Sequence, residues 1–304
     1  MSFISSIGLA VPANKFAQAQ ISAFMERLAP TEEIRKTIHT VFRASGIRTR
    51  YSVLSDYGKE GAFDFFPNTE GLDPFPGTSL RMKEFRKHAV GLSLDAVRNC
   101  LATSTVRASD ITHLITVSCT GMYAPGLDLD LVNLLSLKTS INRTCINFMG
   151  CFAAISAIKT AYSFCVADPT AKVLIVCTEL CSLHFQKEFT DDTILSNALF
   201  GDGSGAVLVE AKPTAQALLK IESSHSEILQ NGSEHMAWTI GDLGFEMKLS
   251  SYVADVLSHE VGSLVMIDIG NPDMNRPMPL VDHMSNEISG LQRRSASCRW
   301  ACVL

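Results

Sequence analysis

The sequence predicts an α/β protein whose central sheet is covered by helices on both faces. Strand-like runs alternate with helical segments, and these runs are almost continuously apolar, as in strands that are buried on two sides. With 304 residues, of which 46% are hydrophobic and 19% charged, the chain can bury a large core or two smaller ones. The formal net charge of −5 argues against a nucleic-acid-binding protein, which would need a basic field.

The first hundred residues predict two strands and three helices. A β-prone run at residues 3–11 ends at Pro12, and residues 17–28 place Ile21, Phe24 and Met25 on one face of a helix. The segments that follow are a helix at 34–43, a strand at 47–53, a surface loop rich in Gly, Pro and Phe at 57–78, and a helix at 82–101.

The middle of the chain predicts the core of the sheet. Short apolar strands are expected at 111–118, 145–148, 172–177 and 205–209, with helices at 131–137 and 151–166. A second sheet is predicted to begin at 218–224, and an apolar pattern resumes at 245–257. Residues 266–304 contain three prolines and show no sustained strand or helix period, unlike the rest of the chain.

The sequence predicts a cytoplasmic protein without a membrane span. Its uncharged apolar stretches stop short of the roughly 18 residues that cross a bilayer, and its start lacks the pattern of a secretory signal. The nine cysteines show no framework spacing, which indicates reduced thiols. Cys177 and Cys181 have no second pair at zinc-finger spacing, so we expect no bound metal.

The strongest candidate for chemistry is Cys151, which lies between a buried strand and a helix rich in small residues. A thiol at a helix N-terminus experiences the partial positive charge of the helix end, which stabilises the thiolate as a nucleophile. Gly150 permits a sharp turn, and Ala153 and Ala154 leave space above the sulfur. The alternative is a buried structural cysteine in a tight turn, the commonest fate of a free cysteine.

Other candidate residues have weaker signals. None of the eight histidines lies in a loop motif that marks a base for Cys151. The glycine-rich segment at 199–206 formally fits a dinucleotide-binding fingerprint, but a strand follows where a helix is required, so we interpret it as a hairpin-like turn. Arg43, Arg48 and Arg50 could clamp a phosphate-bearing substrate such as a coenzyme A thioester, or could form a solvated basic edge.

Four segments carry a more specific pattern. They are Met149-Gly150-Cys151-Phe152-Ala153-Ala154, Leu174-Ile175-Val176-Cys177-Thr178-Glu179, Ala198-Leu199-Phe200-Gly201-Asp202-Gly203 and Gly241-Asp242-Leu243-Gly244-Phe245. Together they resemble the type III polyketide synthases, the chalcone and stilbene synthase family of the thiolase superfamily. The resemblance runs from Ile4 to about Gly262, and the cysteine motif is similar to that of bacterial members.

The resemblance implies a thiolase-like layered αβαβα fold whose second half is incomplete. Residues 1–212 would form the N-terminal half with the nucleophilic cysteine, and residues 213–265 would begin the C-terminal half. Residues 266–304 would be an atypical tail. The resemblance also implies a homodimer.

The resemblance further implies a reaction. An acyl group passes from coenzyme A to Cys151, malonyl-CoA is decarboxylated, and the resulting enolate attacks the cysteine thioester to give pyrone, resorcinol or chalcone-like products. Acyl-CoA and malonyl-CoA are then the substrates. No separate cofactor, metal or nucleic acid is expected.

The same resemblance assigns five substrate-binding residues. Phe200 and Phe245 match two gatekeeper phenylalanines between the coenzyme A tunnel and the cavity. Ala124 lies in a loop that reaches across the dimer, where its small side chain predicts a cavity roomy enough for a long aliphatic starter. Arg43 and Arg48 approximate the family's coenzyme A clamp, although their spacing does not register residue for residue.

One departure from the family lies near the end of the chain. Family members take a catalytic His from a His-Pro-Gly-Gly loop and an Asn from a Gly-Asn-Met-Ser-Ser segment, and neither motif occurs here. Because these residues form the oxyanion hole, we expect a truncated or frame-altered synthase whose thiol is acylated but extends chains poorly. The alternatives are a ketoacyl-carrier-protein synthase III-like condensing enzyme and a non-catalytic remnant that dimerises with an intact paralogue.

Overall fold

The computed structural model describes residues 1–215, 217–226, 236–250 and 265–270. The α-helices are α1 (Gln18–Glu26), α2 (Glu32–Ala44), α3 (Thr78–Ala102), α4 (Leu127–Leu134), α5 (Ala153–Ala167) and α6 (Asp191–Leu199). The strands are β1 (Ser2–Ala10), β2 (Asn14–Ala17), β3 (Thr49–Ser52), β4 (His113–Ser118), β5 (Asn142–Asn147), β6 (Lys172–Leu180), β7 (Asp202–Glu210), β8 (Leu219–Ser226), β9 (Met236–Gly241), β10 (Gly244–Leu249) and β11 (Val265–Gly270). Short 3-10 turns lie at Asp56–Gly58, Glu70–Leu72, Ala108–Asp110, Gly150–Phe152 and Cys181–His184.

Within the described residues, seven strands form one mixed sheet in the order β11-β8-β1-β7-β6-β4-β5. Strand β4 pairs in parallel with β5 and β6, and the other neighbours are antiparallel. Among the described strands, β5 forms one edge of the sheet and pairs on one side, with β4. Two small separate sheets are formed by the β9–β10 hairpin and by the antiparallel pair β2–β3, whose strands are separated in the chain by α1 and α2.

The large sheet buries apolar side chains on both faces, because successive residues of an extended strand point to opposite sides. In β6, Val173 and Ile175 join one apolar cluster with the inner face of α5. Leu174 and Val176 join a second cluster with α3 and α4. The predicted α/β fold with helices on both faces is confirmed, and the continuous apolar run of β6 follows from its burial on two sides.

The segment 57–78 is the loop that the sequence predicts, and it also contributes side chains to the core. Its aromatic residues form part of a third core cluster, in which Phe66 stacks on Phe75 with ring centroids 5.6 Å apart. The buried Asp56 carboxylate accepts hydrogen bonds from the backbone N–H groups of residues 64–66, at 2.8 to 2.9 Å. A loop organised around a buried acceptor can turn its apolar side chains inward without leaving backbone groups unsatisfied.

The segment before β7 corrects two further expectations. Helix α6 has no counterpart among the predicted elements, although Thr190 caps it by accepting a hydrogen bond from the backbone N–H of Thr193. After this helix β7 begins at Asp202, so the glycine-rich segment is not a hairpin-like turn. The chain stays extended through Gly203 because β7 pairs with β6 there and with β1 from the next residue onward.

Helix α5 and the turn before it meet a membrane-span criterion by length and composition alone. The 18-residue stretch Gly150–Ala167 has a mean hydropathy of 1.4, and Lys159 is its one charged residue. In the structure, Ala153, Ala157 and Ala161 of this helix pack against the sheet, as in a core helix. That the chain has no membrane span stays a prediction.

The prediction that a second sheet begins at residues 218–224 is wrong, because β8 joins the same sheet as the strands of the first half. Strand β8 pairs with β1, with Ser2 opposite Ile221, and β11 extends the sheet beyond β8. Residues 271–304 of the predicted tail lie outside the described residues. The division of the chain at residues 212 and 265 therefore stays a prediction.

Gly8 lies where β1 passes very close to α3. A Cβ atom at this position would lie 2.1 Å from the backbone nitrogen of Cys100 and 2.3 Å from the carbonyl oxygen of Ala96. We expect Gly8→Ala to lower the free energy of unfolding by about 2 kcal/mol or more, because strand and helix must separate. In the control Gly91→Ala, the new Cβ meets open space on the same helix and should stabilise it by up to about 1 kcal/mol. Urea unfolding measures both variants, and equal stabilities would contradict this packing.

Candidate active site

Cys151 lies in a tight turn between the edge strand β5 and helix α5. The turn uses the left-handed backbone region twice, at Phe148 (φ 57°) and at Gly150 (φ 63°). Left-handed backbone is unstrained for glycine but costs about 1 kcal/mol or more for a phenylalanine. The reversal places Cys151 in the 3-10 turn Gly150–Phe152, directly before the first residue of the 15-residue helix α5. The predicted position of the thiol at a helix N-terminus is therefore observed.

A cavity of about 1150 Å³ opens beside this turn. Its wall is formed by the ends of β4 and β6, by residues of β1 and β3, and by the β9–β10 hairpin. Its lining side chains include Arg48, Cys119, Phe148, Cys151, Glu179, Phe200 and Trp238. A volume of this size fits a drug-sized or larger apolar ligand.

The structure brings three of the six predicted site residues to this cavity. Cys151 and Phe200 lie in its wall, and the exposed Arg48 lies in the wall near the surface. Phe245 is 2% exposed and does not line the cavity, because it packs behind Phe148 with ring centroids 5.3 Å apart.

The other two predicted residues lie away from the cavity of their own chain. Ala124 is exposed in the loop before α4, and Arg43 is exposed at the end of α2. Arg50, the third member of the predicted basic edge, is buried instead. Its guanidinium donates hydrogen bonds to the Gln18 side chain at 2.8 Å and to the Phe200 carbonyl at 2.5 Å. Arg50 therefore anchors the strand that carries it and is not available as a phosphate clamp.

Glu179 is a cavity residue to which the sequence pattern assigned no role. Its carboxylate accepts hydrogen bonds from the backbone N–H of Cys119 at 2.9 Å and from the hydroxyl of Thr120 at 2.5 Å. Burial raises the pKa of Glu179 from its ordinary 4.5 to about 7, and these hydrogen bonds partly oppose the rise. A carboxyl group with such a pKa can accept or release a proton near neutral pH. The sequence signal that could have identified Glu179 is a single acidic residue after the apolar run of β6.

Three further thiols line the cavity, and the surroundings of two of them differ from that of Cys151. Cys119 and Cys177 lie beside Glu179, and burial together with this carboxyl raises the pKa of both thiols, that of Cys177 to about 12. The third is Cys181. In the described part of the chain, no group of three or more His, Cys, Asp or Glu side chains is arranged to hold a metal ion.

The β9–β10 hairpin closes one side of the cavity and is held in place from several directions. The Trp238 indole N–H donates a hydrogen bond to the Cys119 carbonyl. At the hairpin tip, the backbone N–H of Thr78 donates to the Asp242 carbonyl at 2.8 Å, and its hydroxyl accepts from the Gly244 N–H at 2.8 Å. The N-terminus of α3 thus fixes the hairpin relative to the sheet.

Comparison with known proteins identifies the family. The sequence model described as "Chalcone and stilbene synthases, N-terminal domain" matches residues 1–213. This chain belongs to the chalcone and stilbene synthase family. The predicted membership is confirmed, and so is the thiolase-like α/β fold.

Relatives of this synthase-family chain include two bacterial proteins. The "Alpha-pyrone synthesis polyketide synthase-like Pks18" of Mycobacterium tuberculosis is 33% identical over 238 residues, which cover 76% of this chain and 58% of that protein. The "1,3,6,8-tetrahydroxynaphthalene synthase" of Streptomyces griseus is 30% identical over 195 residues, which cover 64% of this chain and 51% of that protein. The chain thus spans little more than half the length of either.

A solved structure shows the same architecture. The C-terminal type III polyketide synthase domain of Steely1, a type I/III hybrid from Dictyostelium, superimposes with a TM-score of 0.79 at 25% identity. The match covers 97% of this chain and 76% of that domain's chain. "Probable polyketide synthase 1" of Dictyostelium discoideum is 28% identical over 267 residues, which are 87% of this chain and 8% of that protein.

The buried carboxyl of Glu179 should make stability depend on pH. A carboxyl whose pKa is higher in the folded state stabilises the fold below its unfolded pKa of 4.5, and this contribution is lost as the pH rises toward about 7. Glu179→Gln removes the titration, so its stability relative to the unaltered protein should improve by about 2 kcal/mol between about pH 5 and pH 8. Urea unfolding across this range tests the effect. Parallel stability curves for the two proteins would contradict the buried, protonatable carboxyl.

Proposed function

We propose that this chain is an acyltransferase of the type III polyketide synthase kind, in which Cys151 takes an acyl group from a coenzyme A thioester. The observation that carries the proposal is the position of this thiol, between β5 and the N-terminus of α5, in the wall of the 1150 Å³ cavity. The names of the bacterial relatives support it. They do not favour the ketoacyl-carrier-protein synthase alternative.

The proposed reaction begins with attack of the Cys151 thiolate on the acyl-CoA carbonyl. A carbon–sulfur bond to the enzyme forms, the bond to coenzyme A breaks, and coenzyme A leaves as its thiolate. Malonyl-CoA then loses carbon dioxide, and the resulting enolate attacks the enzyme thioester, which forms a carbon–carbon bond and releases Cys151. The helix N-terminus favours the anionic sulfur both as nucleophile and as leaving group.

The cavity supports an acyl substrate with an apolar body. Its wall presents aromatic and sulfur-containing side chains around Cys151, while Arg48 lies exposed near the surface, where phosphate groups of coenzyme A would remain in solvent. Coenzyme A thioesters are then the sole small molecules that the reaction requires. Products of the pyrone, resorcinol or chalcone type would follow from repeated extension.

Acylation and extension are proposed to be separable in this chain. The 304 residues contain neither the His-Pro-Gly-Gly loop nor the Gly-Asn-Met-Ser-Ser segment of the family. A single oxyanion-hole donor is typically worth about 10² to 10³ in rate, so extension by these residues alone would be slow. Attack on an acyl-CoA requires the thiolate of Cys151, which the N-terminus of α5 favours.

We also propose that the chain forms a homodimer through β5 and the outer face of α5. Four of the six residues of β5 are exposed at the edge of the sheet, and an edge strand offers unpaired backbone groups to a second copy. Val166 on α5 is a large apolar side chain that is 58% exposed. The exposed loop of Ala124 lies away from the cavity of its own chain, which suits a loop that reaches the second copy.

Acylation is tested by incubating the protein with decanoyl-CoA and measuring its intact mass. We expect one decanoyl adduct that maps to Cys151 by peptide analysis and disappears in Cys151→Ala. Cys165→Ala is the matched control, because this thiol lies on the same helix, is buried against the sheet and has its pKa raised by burial to about 12. An adduct that survives in Cys151→Ala would overturn the assignment. Released products after addition of malonyl-CoA would show that extension also occurs.

The dimer is tested by light scattering after size-exclusion chromatography. The unaltered protein should elute at twice the 33.1 kDa chain mass. Cys145→Lys places a positive charge on the exposed edge of β5 in each copy, so we expect it to shift the population to monomer. Thr105→Lys adds the same charge at an exposed loop position and should remain dimeric. A Cys145→Lys protein that stays dimeric would place the interface elsewhere.

A further inference from the structure

We infer that His184 is a positioning residue that fixes the aromatic wall of the cavity and thereby limits how wide an acyl group can reach Cys151. The inference deepens the proposed function and rests on it for the class of substrate. His184 lies at the end of the Cys181–His184 turn, one layer behind the cavity wall, and the sequence pattern assigned it no role.

Both ring nitrogens of His184 are engaged by groups of fixed polarity. Nε2 lies 2.7 Å from the Thr120 carbonyl, which can only accept, so Nε2 carries the proton. Nδ1 lies 2.9 Å from the backbone N–H of Phe245, which can only donate, so Nδ1 accepts. Burial lowers the pKa of His184 to about 3, which keeps the ring neutral. A ring engaged in this way cannot act as a base for Cys151, but it can hold Phe245 in register with the loop after β4.

The ring of His184 also determines where the neighbouring aromatic rings lie. It stacks on Phe245 with centroids 4.3 Å apart and planes at 8°, and it meets Trp238 edge-on at 5.8 Å. Phe245 in turn contacts Phe148 at 5.3 Å and Trp238 at 6.2 Å. Phe148 and Trp238 are the two members of this group that line the cavity. His184 therefore supports the wall through contacts with both Phe245 and Trp238.

A second cavity next to His184 gives the aromatic wall room to move when the His184 ring is removed. This small cavity has a volume of about 40 Å³ and is also lined by Trp238 and Phe200. Truncating His184 would enlarge this space directly behind Trp238. Phe148 has a left-handed backbone conformation, which is strained for this residue. Its contact with Phe245 helps to hold that conformation, and we expect loss of His184 to loosen the contact. Loss of His184 is thus expected to widen the cavity next to the nucleophile.

The test compares two maleimides with N-substituents of different size, and each variant is compared with the unaltered protein so that the intrinsic difference between the reagents cancels. N-methylmaleimide and N-phenylmaleimide react with thiols by the same addition, so the ratio of their rate constants at Cys151, measured on the isolated peptide, reports steric access. In His184→Ala we expect the phenyl-to-methyl ratio to rise about tenfold. An unchanged ratio in a folded His184→Ala protein would overturn the inference.

Two conservative variants separate positioning of Phe245 from general support of the fold. The Asn side chain can place an acceptor where Nδ1 lies, so His184→Asn keeps the bond from Phe245 and loses the bond to Thr120. The Gln side chain can place a donor where Nε2 lies, so His184→Gln keeps the Thr120 bond and loses that from Phe245. Both variants lose the stacked ring, so we expect both to raise the ratio, and His184→Asn, which keeps the bond from Phe245, to raise it less than His184→Gln. The reverse ranking would contradict the assigned role.

His113 provides the matched control. It is also a buried histidine that stacks on an aromatic ring, that of Phe164 at 4.5 Å, with hydrogen-bonding partners at both nitrogens. It lies at the opposite end of β4 from the cavity. His113→Ala should lower the melting temperature without moving the maleimide ratio, and a similar rise in both variants would reduce His184 to a general stabilising residue.

Acyl-CoA substrates complete the test and separate it from the proposed function. If Cys151 accepts no acyl group from acetyl-CoA or decanoyl-CoA in the unaltered protein, the proposed function fails, while the maleimide ratio still decides the role of His184. If acylation occurs, acylation by the branched 3,3-dimethylbutanoyl-CoA relative to acetyl-CoA should rise with the maleimide ratio. A relative rate that does not rise would overturn the link to substrate width.

Discussion

The parallel pairing of β5 and β6 on either side of β4 is the constraint on which the rest of the site depends. Parallel strands end at the same edge of a sheet, so whatever follows them is gathered there. Strand β4 is followed by Cys119 and Thr120, β6 carries Glu179 close to its end, and β5 leads into the turn of Cys151. The cavity forms at this edge because three strands deliver their functional residues to one place.

Three buried charged side chains in this region, those of Glu179, Asp202 and Arg81, hydrogen-bond to backbone groups. Glu179 accepts from the Cys119 N–H, and the carboxylate of Asp202 accepts from the Val53 and Ser182 N–H groups at 2.7 and 2.8 Å. Arg81 donates to the carbonyls at both ends of the segment that holds His184 and lies 5.0 Å from the centre of the Phe75 ring. Burial of such groups is tolerable because their hydrogen bonds replace those lost from water. They fix the turns around the cavity more firmly than apolar contacts alone would.

The sequence predicted much of the structure that depends on local pattern, although it missed helix α6. Apolar runs predicted the sheet, and the small residues after Cys151 predicted a helix whose N-terminus receives the thiol, because strand and helix periods are local properties. Long-range contacts were not accessible in this way. The burial of Arg50 depends on the Phe200 carbonyl 150 positions away, and the place of Phe245 behind the wall depends on Phe148 and His184. Tertiary partners of this kind decide whether a given side chain faces a ligand or the core.

Helix α3 contacts a different element near each of its two ends. Near one end Gly8 lets β1 approach the helix, and at the other Thr78 holds the tip of the β9–β10 hairpin. Since an α-helix rises 1.5 Å and turns by about 100° per residue, the roughly 20 residues between these two contacts hold them about 30 Å apart. Inserting or deleting one residue between these ends would shift and rotate one anchor relative to the other. No residue of α3 lines the cavity, yet the number of residues in this helix sets the spacing between the strand β1 and the hairpin that closes one side of it.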